Sequence, residues 1–245
     1  MRHTFRYLVA RPPEEGEEVE LSPEDSHHLA RVVRRRPGDE VELTDGAGRL
    51  WSAVVVEAGE RARVRAAAPR PAPAASAVAL YLGLTEWGRV DLVVEKAAEL
   101  GVGEVALLVT ERARRVPDAA AWERRRERME RVAQAAARQS GQVWLPRLRG
   151  LVPFADAVAE IPSGEGCLID ARGDAAIADA VGPSGRAALL VGPQAGFSEC
   201  EVARAREAGL AVCGLGPGTL RTETAALVAV SLALAATGRL RGGPA

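Results

Sequence analysis

The chain has 245 residues, which is enough for one large domain or for two that each bury a core. Its 32 basic and 33 acidic residues leave a formal net charge of −1, so the overall charge does not indicate a nucleic-acid-binding protein. The three cysteines have no CxxC spacing, which argues against a disulfide framework and a metal site. The longest apolar stretch, Ala225 to Ala236, covers only 12 residues, too few to span a membrane. Together these features predict a cytoplasmic protein.

The first 70 residues predict a small β-barrel. Short apolar or alternating runs predict strands at Phe5 to Val9, Glu40 to Thr44, Leu50 to Val56 and Ala62 to Ala66. Ser22 followed by Pro23 predicts a helix start, because serine caps helices and proline is tolerated in the first turn. Pro69 to Pro73 has the composition of a stiff connector, which predicts domains at residues 1–70 and 74–245.

Beyond the connector, predicted strands and helices alternate. Nearly continuous apolar runs predict strands at Val78 to Leu84, Glu104 to Thr110, Val143 to Leu148, Cys167 to Asp170, Ala187 to Val191 and Leu210 to Gly214. Helical patterns lie between and after them, at Arg89 to Leu100, Ala119 to Gln139, Pro153 to Ile161, Asp174 to Val181, Ser198 to Ala208 and Thr222 to Ala236. This order is typical of an α/β domain with a parallel sheet covered on both faces.

Two glycine-rich loops mark the candidate site. Gly192 to Phe197 and Gly214 to Gly218 each follow a predicted strand and precede a helix, which places both at the sheet edge where open α/β sheets bind ligands. Glycines let backbone groups approach a flat ligand closely. Ser198 with Glu201 predicts a capping box that fixes the first loop.

The loops do not match the common nucleotide-binding motifs. The first lacks the Lys-Ser/Thr ending of a Walker A loop. In the second, Pro217 interrupts the Gly-x-Gly-x-Gly run, and no acidic residue follows at the distance that a dinucleotide site requires. A nucleotide-dependent oxidoreductase is therefore disfavoured.

Both loops belong to motifs that closely resemble the signature of the RsmE family. The motifs are Gly-Pro-x-x-Gly-Phe-Ser-x-x-Glu from Gly192 and Leu-Gly-Pro-x-x-Leu-Arg-Thr-Glu-Thr-Ala from Leu215. The resemblance extends through Glu95 to Gly101, Gln139 to Gly141 and the Met-Arg-His start, so it covers nearly the whole chain. Members of this family methylate N3 of a uridine in 16S ribosomal RNA with S-adenosylmethionine as the methyl donor.

The resemblance implies a fold, a cofactor site and a partner. It implies a SPOUT-type parallel sheet with a C-terminal trefoil knot, preceded by a PUA-like RNA-binding β-barrel. The substrate would be 16S rRNA of the small ribosomal subunit, at uridine 1498 in the usual numbering. The cofactor-binding residues, some of them next to the adenine, would be Val191, Gly192, Gly196, Leu215, Gly216, Leu220 and Thr224.

The candidate catalytic residues follow from the chemistry of uridine. The N3 atom attacks a methyl group only after it loses its proton, so a guanidinium near O2 or O4 would stabilise the uracil anion and a nearby carboxylate could accept the proton. Arg221 and Glu223 provide this pair at the start of a helix that Thr222 is predicted to cap. Arg112, at the end of another predicted strand, is the second candidate for the cation.

Arginines are the candidate RNA contacts. Between Arg112 and Arg138, nine arginines accompany four acidic residues, which suits phosphate binding, although Glu–Arg pairs on a solvated helix would give the same composition. The predicted RNA-binding residues are Arg2, Arg6, Arg34, Arg35, Arg124 and Arg128.

The last predicted helix also predicts a homodimer. Thr222 to Ala236 is apolar almost all round, and a sheet buries only one side of such a helix. SPOUT enzymes usually complete their sites across a two-fold interface, and Val230 and Leu234 are the predicted interface residues.

Three departures from the family pattern keep a second function open. Gln194-Ala195 stands where the family usually has Glu-Gly, Gly218 lies where a basic residue is usual, and Arg138 lies where an acid is usual. The alternative is an RNA-binding ribosome-assembly factor that keeps the fold and has weak or no catalysis.

Overall fold

The computed structural model describes residues 5–113 and 116–240, which form two compact units. Among the described residues, the first unit combines those up to 75 with 137–145, and the second combines those from 76 to 136 with those from 146 onward. Arg2, Arg114 and Arg115, which the sequence suggested as RNA contacts or as part of the arginine-rich segment, lie outside the described residues. The domain boundaries predicted from the sequence stay a prediction.

The first unit is built on a five-stranded sheet. Its strands are β1 (Arg6–Leu8), β2 (Glu18–Glu20), β3 (Glu40–Thr44), β4 (Leu50–Glu57) and β5 (Arg63–Arg70). The spatial order is β1-β3-β4-β5-β2, with β1 parallel to β3 and the other pairs antiparallel. Alternate side chains, among them Tyr7, Leu43 and Val64, are buried in one core. Sequence periodicity missed β2, because two of its three residues are exposed acids.

A short helix and a π-helical turn connect β2 to β3. Helix α1 (Pro23–His27) begins as predicted, with the Ser22 side chain accepting a hydrogen bond from the Asp25 amide. A π-helical turn follows at His28–Val32. Arg34, an exposed residue two positions beyond this turn, has a φ of 54°, in the left-handed region.

Residues 137–145 are part of the first unit. The carbonyl oxygen of Val143 accepts from the Gly48 amide, and the Trp144 indole donates to the carbonyl of Pro73. A strand predicted at Val143 to Leu148 is therefore wrong: its first half pairs within the first unit, and the strand of the second unit starts at Arg147.

The second unit contains a six-stranded, entirely parallel sheet. Its strands are β6 (Val78–Gly83), β7 (Glu104–Val109), β8 (Arg147–Pro153), β9 (Gly166–Ile169), β10 (Ala187–Val191) and β11 (Ala211–Cys213). The order is β11-β9-β10-β6-β7-β8. Nearly every residue of the central strands is buried, as expected for strands covered on both faces.

Helices cover both faces of this sheet. They are α2 (Trp87–Leu100), α3 (Ala119–Ser140), α4 (Phe154–Glu160), α5 (Glu199–Glu207) and α6 (Thr222–Ala236). One hydrophobic cluster joins α2, α3 and α6 to one face, and a second joins α4 and α5 to the other. The helix predicted at Asp174 to Val181 is wrong: Ala175 pairs with Cys213 in extended conformation, and only the 3-10 turn Ile177–Ala180 is helical.

Helix α6 faces the core of its own unit. Val230 and Leu234, the predicted dimer contacts, are fully buried in the cluster that α6 shares with α2 and the sheet. Leu232, on the outer side, is 48% exposed. The choice of Val230 and Leu234 as interface residues is therefore wrong. Within the described ranges, no helix is both long and apolar enough to span a membrane.

Candidate functional site

A cleft of about 530 Å³ lies at the carboxyl ends of β9, β10 and β11. The loop after β10 and the loop after β11 form two of its walls, and Ile169 to Ala171, at the end of β9, form a third. The third wall exists because β9 lies between β10 and β11 in the sheet, so the two glycine loops are not on adjacent strands. Sequence order could not show this insertion.

The glycines of the loops have different physical roles. Gly216 has a φ of +100°, which residues with a side chain rarely adopt, and a Cβ built there would have no atom of any described residue beyond its two chain neighbours within 4 Å. A Cβ at Gly192 would instead lie 3.1 Å from the ring of Phe197, the buried residue that ends the same loop. Gly216 therefore allows an unusual backbone beside open space, whereas Gly192 allows tight packing.

Most of the predicted cofactor residues line this cleft. The lining ones are Val191, Gly192, Gly196, Leu215, Gly216 and Leu220. Thr224 is exposed on α6 and is not among the lining residues, while its neighbours Thr222 and Ala225 are.

A capping box holds the first loop rigid. Ser198 and Glu201 bond to each other's backbone amides as predicted, at 3.1 and 2.9 Å. The Glu201 side chain is buried, and its other oxygen accepts from the Glu111 amide at 2.9 Å. Glu201 thereby ties the turn after β7 to the start of α5.

Arg221 is exposed at the rim of the cleft. It is the N-cap residue of α6, and no side chain caps this helix, so the prediction that Thr222 caps it is wrong: Thr222 is the first helical residue and is buried. The Arg221 side chain makes no hydrogen bond or ion pair with any residue that the structure describes. Its guanidinium is free to bind a ligand.

Glu223 has a partner that sequence reasoning missed. Arg89, in the first turn of α2, lines the same cleft and forms an ion pair with Glu223 at 3.2 Å. Both side chains are mostly buried, at 23% and 15% exposure. A signal was available, because a cation in the first turn of a helix is disfavoured by the helix dipole and therefore needs a reason to be there.

Arg112 lies in a second cleft of about 730 Å³. It donates a hydrogen bond of 2.8 Å to the carbonyl of Ala195, and Trp87 contributes to the same walls. Pro193 and Gln194 line both clefts, so the second opens next to the first. The two candidate cations are thus in separate clefts that share one loop.

Asp170 is a second residue that sequence reasoning missed. Its carboxylate accepts two hydrogen bonds from Arg172, at 2.6 and 2.7 Å, and Arg172 also donates to the carbonyl of Phe197. The hydrogen bond from Arg172 holds the pKa of Asp170 below its usual range, and the nearby charge of Arg112 acts in the same direction. The strand-end position at β9 places this fixed negative charge in the cleft.

The predicted RNA-contacting arginines differ in their surroundings. Arg124 and Arg128 line a groove beside Trp87 on the second unit. In the first unit, Arg6 is bound to Glu42 and to the carbonyl of Gly141. The guanidinium carbon of Arg35 lies over the Phe5 ring, 5.2 Å from its centre, and Arg34 is exposed. Arg138, one of the departures from the family pattern, forms ion pairs with Glu24 and Asp25 inside the first unit.

Across the described ranges, no group of three or more His, Cys, Asp or Glu side chains could hold a metal.

The all-parallel α/β sheet with a glycine-lined cleft at its carboxyl edge, together with a separate β-rich unit, matches the architecture of RNA methyltransferases of the SPOUT class. The protein-family model described as an RNA methyltransferase domain matches residues 72–234, and the family model described as an RNA methyltransferase PUA domain matches residues 21–63. The chain belongs to the RsmE family.

Relatives and solved structures agree with this assignment. Ribosomal RNA small subunit methyltransferase E of Mycobacterium bovis is 32% identical over 91% of this chain and 88% of its own length. The Bacillus subtilis protein of the same name is 29% identical over 99% of each chain. The crystal structure of the Neisseria gonorrhoeae enzyme bound to S-adenosyl methionine is 26% identical with a TM-score of 0.80, covering 95% of this chain and 98% of that one.

Proposed function

We propose that this protein transfers a methyl group from S-adenosylmethionine to N3 of a uridine in 16S rRNA, at uridine 1498 in the usual numbering. The observation that carries the proposal is the cleft between the two glycine loops. Arg89 and Arg221 line this cleft, and Arg89 forms an ion pair with Glu223, in the first turn of α6. Its volume of about 530 Å³ is in the range of small-molecule sites.

The cleft fits the cofactor. Val191, Leu215 and Leu220 supply apolar surface for an adenine, and the loop backbone at Gly216 is open to a ligand because no described residue beyond its chain neighbours comes within 4 Å of a Cβ built there. Asp170 adds a carboxylate that Arg172 fixes in place. When bound, S-adenosylmethionine supplies a methyl group on a cationic sulfur, which is already activated for transfer.

The chain's own residues would prepare the uridine. Arg221, whose side chain has no partner among the described residues, would stabilise the negative charge that develops on a uracil oxygen as the N3 proton leaves. Glu223 would accept that proton, because Arg89 holds its carboxylate at the helix start beside the cleft. Arg112 is the weaker candidate for the cation, since the carbonyl of Ala195 already engages it.

The proposal also covers a homodimer, a trefoil knot and a cellular location. Leu232 on α6 and Leu92 on α2 are exposed apolar side chains on two helices that pack against each other, and they support a two-fold interface there. The trefoil knot implied by the resemblance stays a prediction. A ribosomal RNA substrate would place the enzyme in the cytoplasm with the small ribosomal subunit.

Calorimetric titration with S-adenosylmethionine, followed by methylation of small subunits that lack the modification, tests the proposal. We expect saturable cofactor binding and one methyl group at N3 of one uridine, located by mass spectrometry of nuclease digests. A protein that binds 16S rRNA and does not bind the cofactor would be the RNA-binding assembly factor instead. Methylation at another base or at a ribose would also contradict the proposal.

A further inference from the structure

A groove lined by arginines begins next to the second cleft. Its volume is about 330 Å³, and its walls are Trp87, Pro117, Ala121 and four arginines of α3, which are Arg124, Arg125, Arg128 and Arg131. These arginines recur at spacings of three and four residues, so they project from one side of the helix.

Within the described residues, three of the four arginines of this groove lack the carboxylate partners that neutralise their neighbour Arg126. Arg126, which does not line the groove, is bound to both Glu123 and Glu130. In the groove, Arg128 is bound to Asp91 at 2.7 Å, whereas Arg124, Arg125 and Arg131 form no ion pair with the residues that the structure describes. Three positive charges are therefore left for a ligand.

Trp87 connects the groove to the candidate site. Its indole is half-buried at the start of α2, and the guanidinium of Arg125 lies over the ring at 4.7 Å from its centre. Trp87 lines the groove and also the second cleft, and the second cleft shares Pro193 and Gln194 with the cofactor cleft. A continuous path thus runs from the cofactor cleft past Trp87 to the unpaired arginines.

We propose that Trp87 and Arg125 form a stacking platform for an unpaired base next to the target uridine, with Arg124 and Arg131 binding the phosphates that follow. This inference rests on the proposed function, because it assumes that the target base enters the clefts beside Gln194. An aromatic face next to unpaired cations is the chemistry that recognises single-stranded nucleic acid, in which bases stack and phosphates track a basic groove. An acidic protein surface would use the arginines and leave the indole unused.

The test measures the affinity of the full-length protein for a fluorescent single-stranded RNA that contains the target uridine, over a series of salt concentrations. We expect Trp87→Ala to lose about tenfold or more in affinity with an unchanged salt slope, and Trp87→Phe to retain most of it. The double variant Arg124→Gln/Arg131→Gln should reduce the slope of log affinity by about 1.4, at about 0.7 per phosphate contact. Arg126→Gln is the matched control and should change neither quantity.

Trp87 also packs against the hydrophobic core, so a second arm avoids the risk of misfolding. Arg125→Gln keeps the indole and removes the stacked cation, and should lower single-strand affinity while the melting temperature stays near that of the wild type. The same RNA annealed to its complement should bind more weakly, because its bases are not available for stacking.

Equal binding of the single strand and the duplex, or unchanged affinity in both Trp87→Ala and Arg125→Gln, would overturn the platform. A wild type that does not bind the single strand would overturn it as well. Cofactor uptake and methyl transfer by the wild type are measured separately. If both succeed and the Trp87 and Arg125 variants bind normally, the stacking inference fails while the proposed function stands.

Discussion

Arg89 and Glu223 lie 134 positions apart in the chain and meet at the candidate site. Arg89 stands out in the sequence only as a cation in the first turn of its helix, and its ion pair with Glu223 forms because α2 packs against α6. Sequence motifs identified Glu223, since it lies in a specific local signature. They could not identify Arg89, whose role depends on a contact between distant helices.

Arg221→Ala should reduce methyl transfer by about 10² to 10³-fold, because one positioned charge that stabilises the developing anion is lost. Cofactor affinity should stay within a few-fold of the wild type, since the cofactor is held by the loops rather than by this side chain. Single-turnover methylation with saturating RNA measures the first effect and calorimetry the second.

Arg112→Ala is the comparison variant for Arg221. Its guanidinium supports the loop carbonyl of Ala195, so its loss should weaken cofactor binding more than the chemical step. If Arg221→Ala turns over normally and Arg112→Ala does not, the roles of the two arginines are reversed.

Arg34 carries backbone strain at an exposed position of the first unit. Left-handed backbone costs a residue with a side chain about 1 kcal/mol or more, and glycine avoids that cost. Arg34→Gly should therefore be more stable than Arg34→Ala by about 1 kcal/mol in denaturant unfolding. Both variants remove the same charge, so both should weaken RNA binding equally. Unequal RNA affinities would show that backbone shape, rather than charge, matters at this site.

The Asp170–Arg172 pair predicts a pH-dependent contribution to stability. Since Arg172 lowers the pKa of Asp170 in the folded state, the contribution is full above the ordinary pKa of about 3.9 and disappears as the pH falls through the lower folded value. Asp170→Asn should be less stable than the wild type at neutral pH by about 1 kcal/mol at most, because the pair is partly open to solvent. The difference should shrink on acidification below about pH 4.

A double-mutant cycle with Arg172→Gln checks that this effect belongs to the pair. The two single variants should lose similar stability, and the double variant should lose little more than either one. Additive losses would mean that Asp170 is stabilised by other groups. Urea unfolding from neutral to acidic pH provides all four stabilities.

At the scale of elements, local signals were reliable and non-local ones were not. The capping box at Ser198 and the start of α1 at Ser22 were predicted correctly, because the residues that form each cap lie within four positions. The strand at Val143 and the helix at Asp174 were predicted wrongly. In both places an apolar segment pairs with a distant partner, Ala47 in one case and Cys213 in the other.

The candidate cleft shows the same limit. Both glycine loops could be found from their composition and motifs, but the contribution of Asp170 depends on the position of β9 between β10 and β11. Strand order in a parallel sheet is set by packing and by the crossover helices, and no residue in β9 encodes its neighbours.

Two substitutions in helix α6 test the proposed dimer and separate loss of association from loss of folding. Leu232→Arg places a charge on the outer surface and should give a folded monomer with reduced activity. Val230→Arg buries an unpaired charge in the core and should unfold the unit instead. Sedimentation at micromolar concentration and thermal melting distinguish the two results. A Leu232→Arg protein that stays dimeric would show that the interface lies elsewhere.

At the scale of the whole molecule, the first unit is not a simple N-terminal segment. Residues 137–145 return to it, so deletion of residues 1–70 would expose Val143 and the packed side of Trp144. Point variants of the full-length chain are therefore the sound way to divide RNA binding between the units. The cofactor cleft, by contrast, is formed entirely by residues of the second unit, from Arg89 to Ala225.

This arrangement makes a prediction about cofactor-linked stability. At about 100 times its dissociation constant, a ligand that binds only the folded state adds roughly 2.7 kcal/mol. For a protein of this size, S-adenosylmethionine should raise the melting temperature by about 5–10 °C. If the two units unfold separately in a calorimeter, only the transition of the second unit should move, because the first contributes no residue to the cleft.

Gly216→Val is the control for this measurement. A valine at a φ of +100° strains the loop, and its side chain enters the open space where the cofactor is expected, so the ligand-induced shift should vanish. NAD should give no shift with either protein, since the loops lack the features of a dinucleotide site. A shift confined to the transition of the first unit, or one that survives in Gly216→Val, would mean that S-adenosylmethionine binds outside the glycine-lined cleft, and the roles assigned to Arg221 and Glu223 would lose their basis.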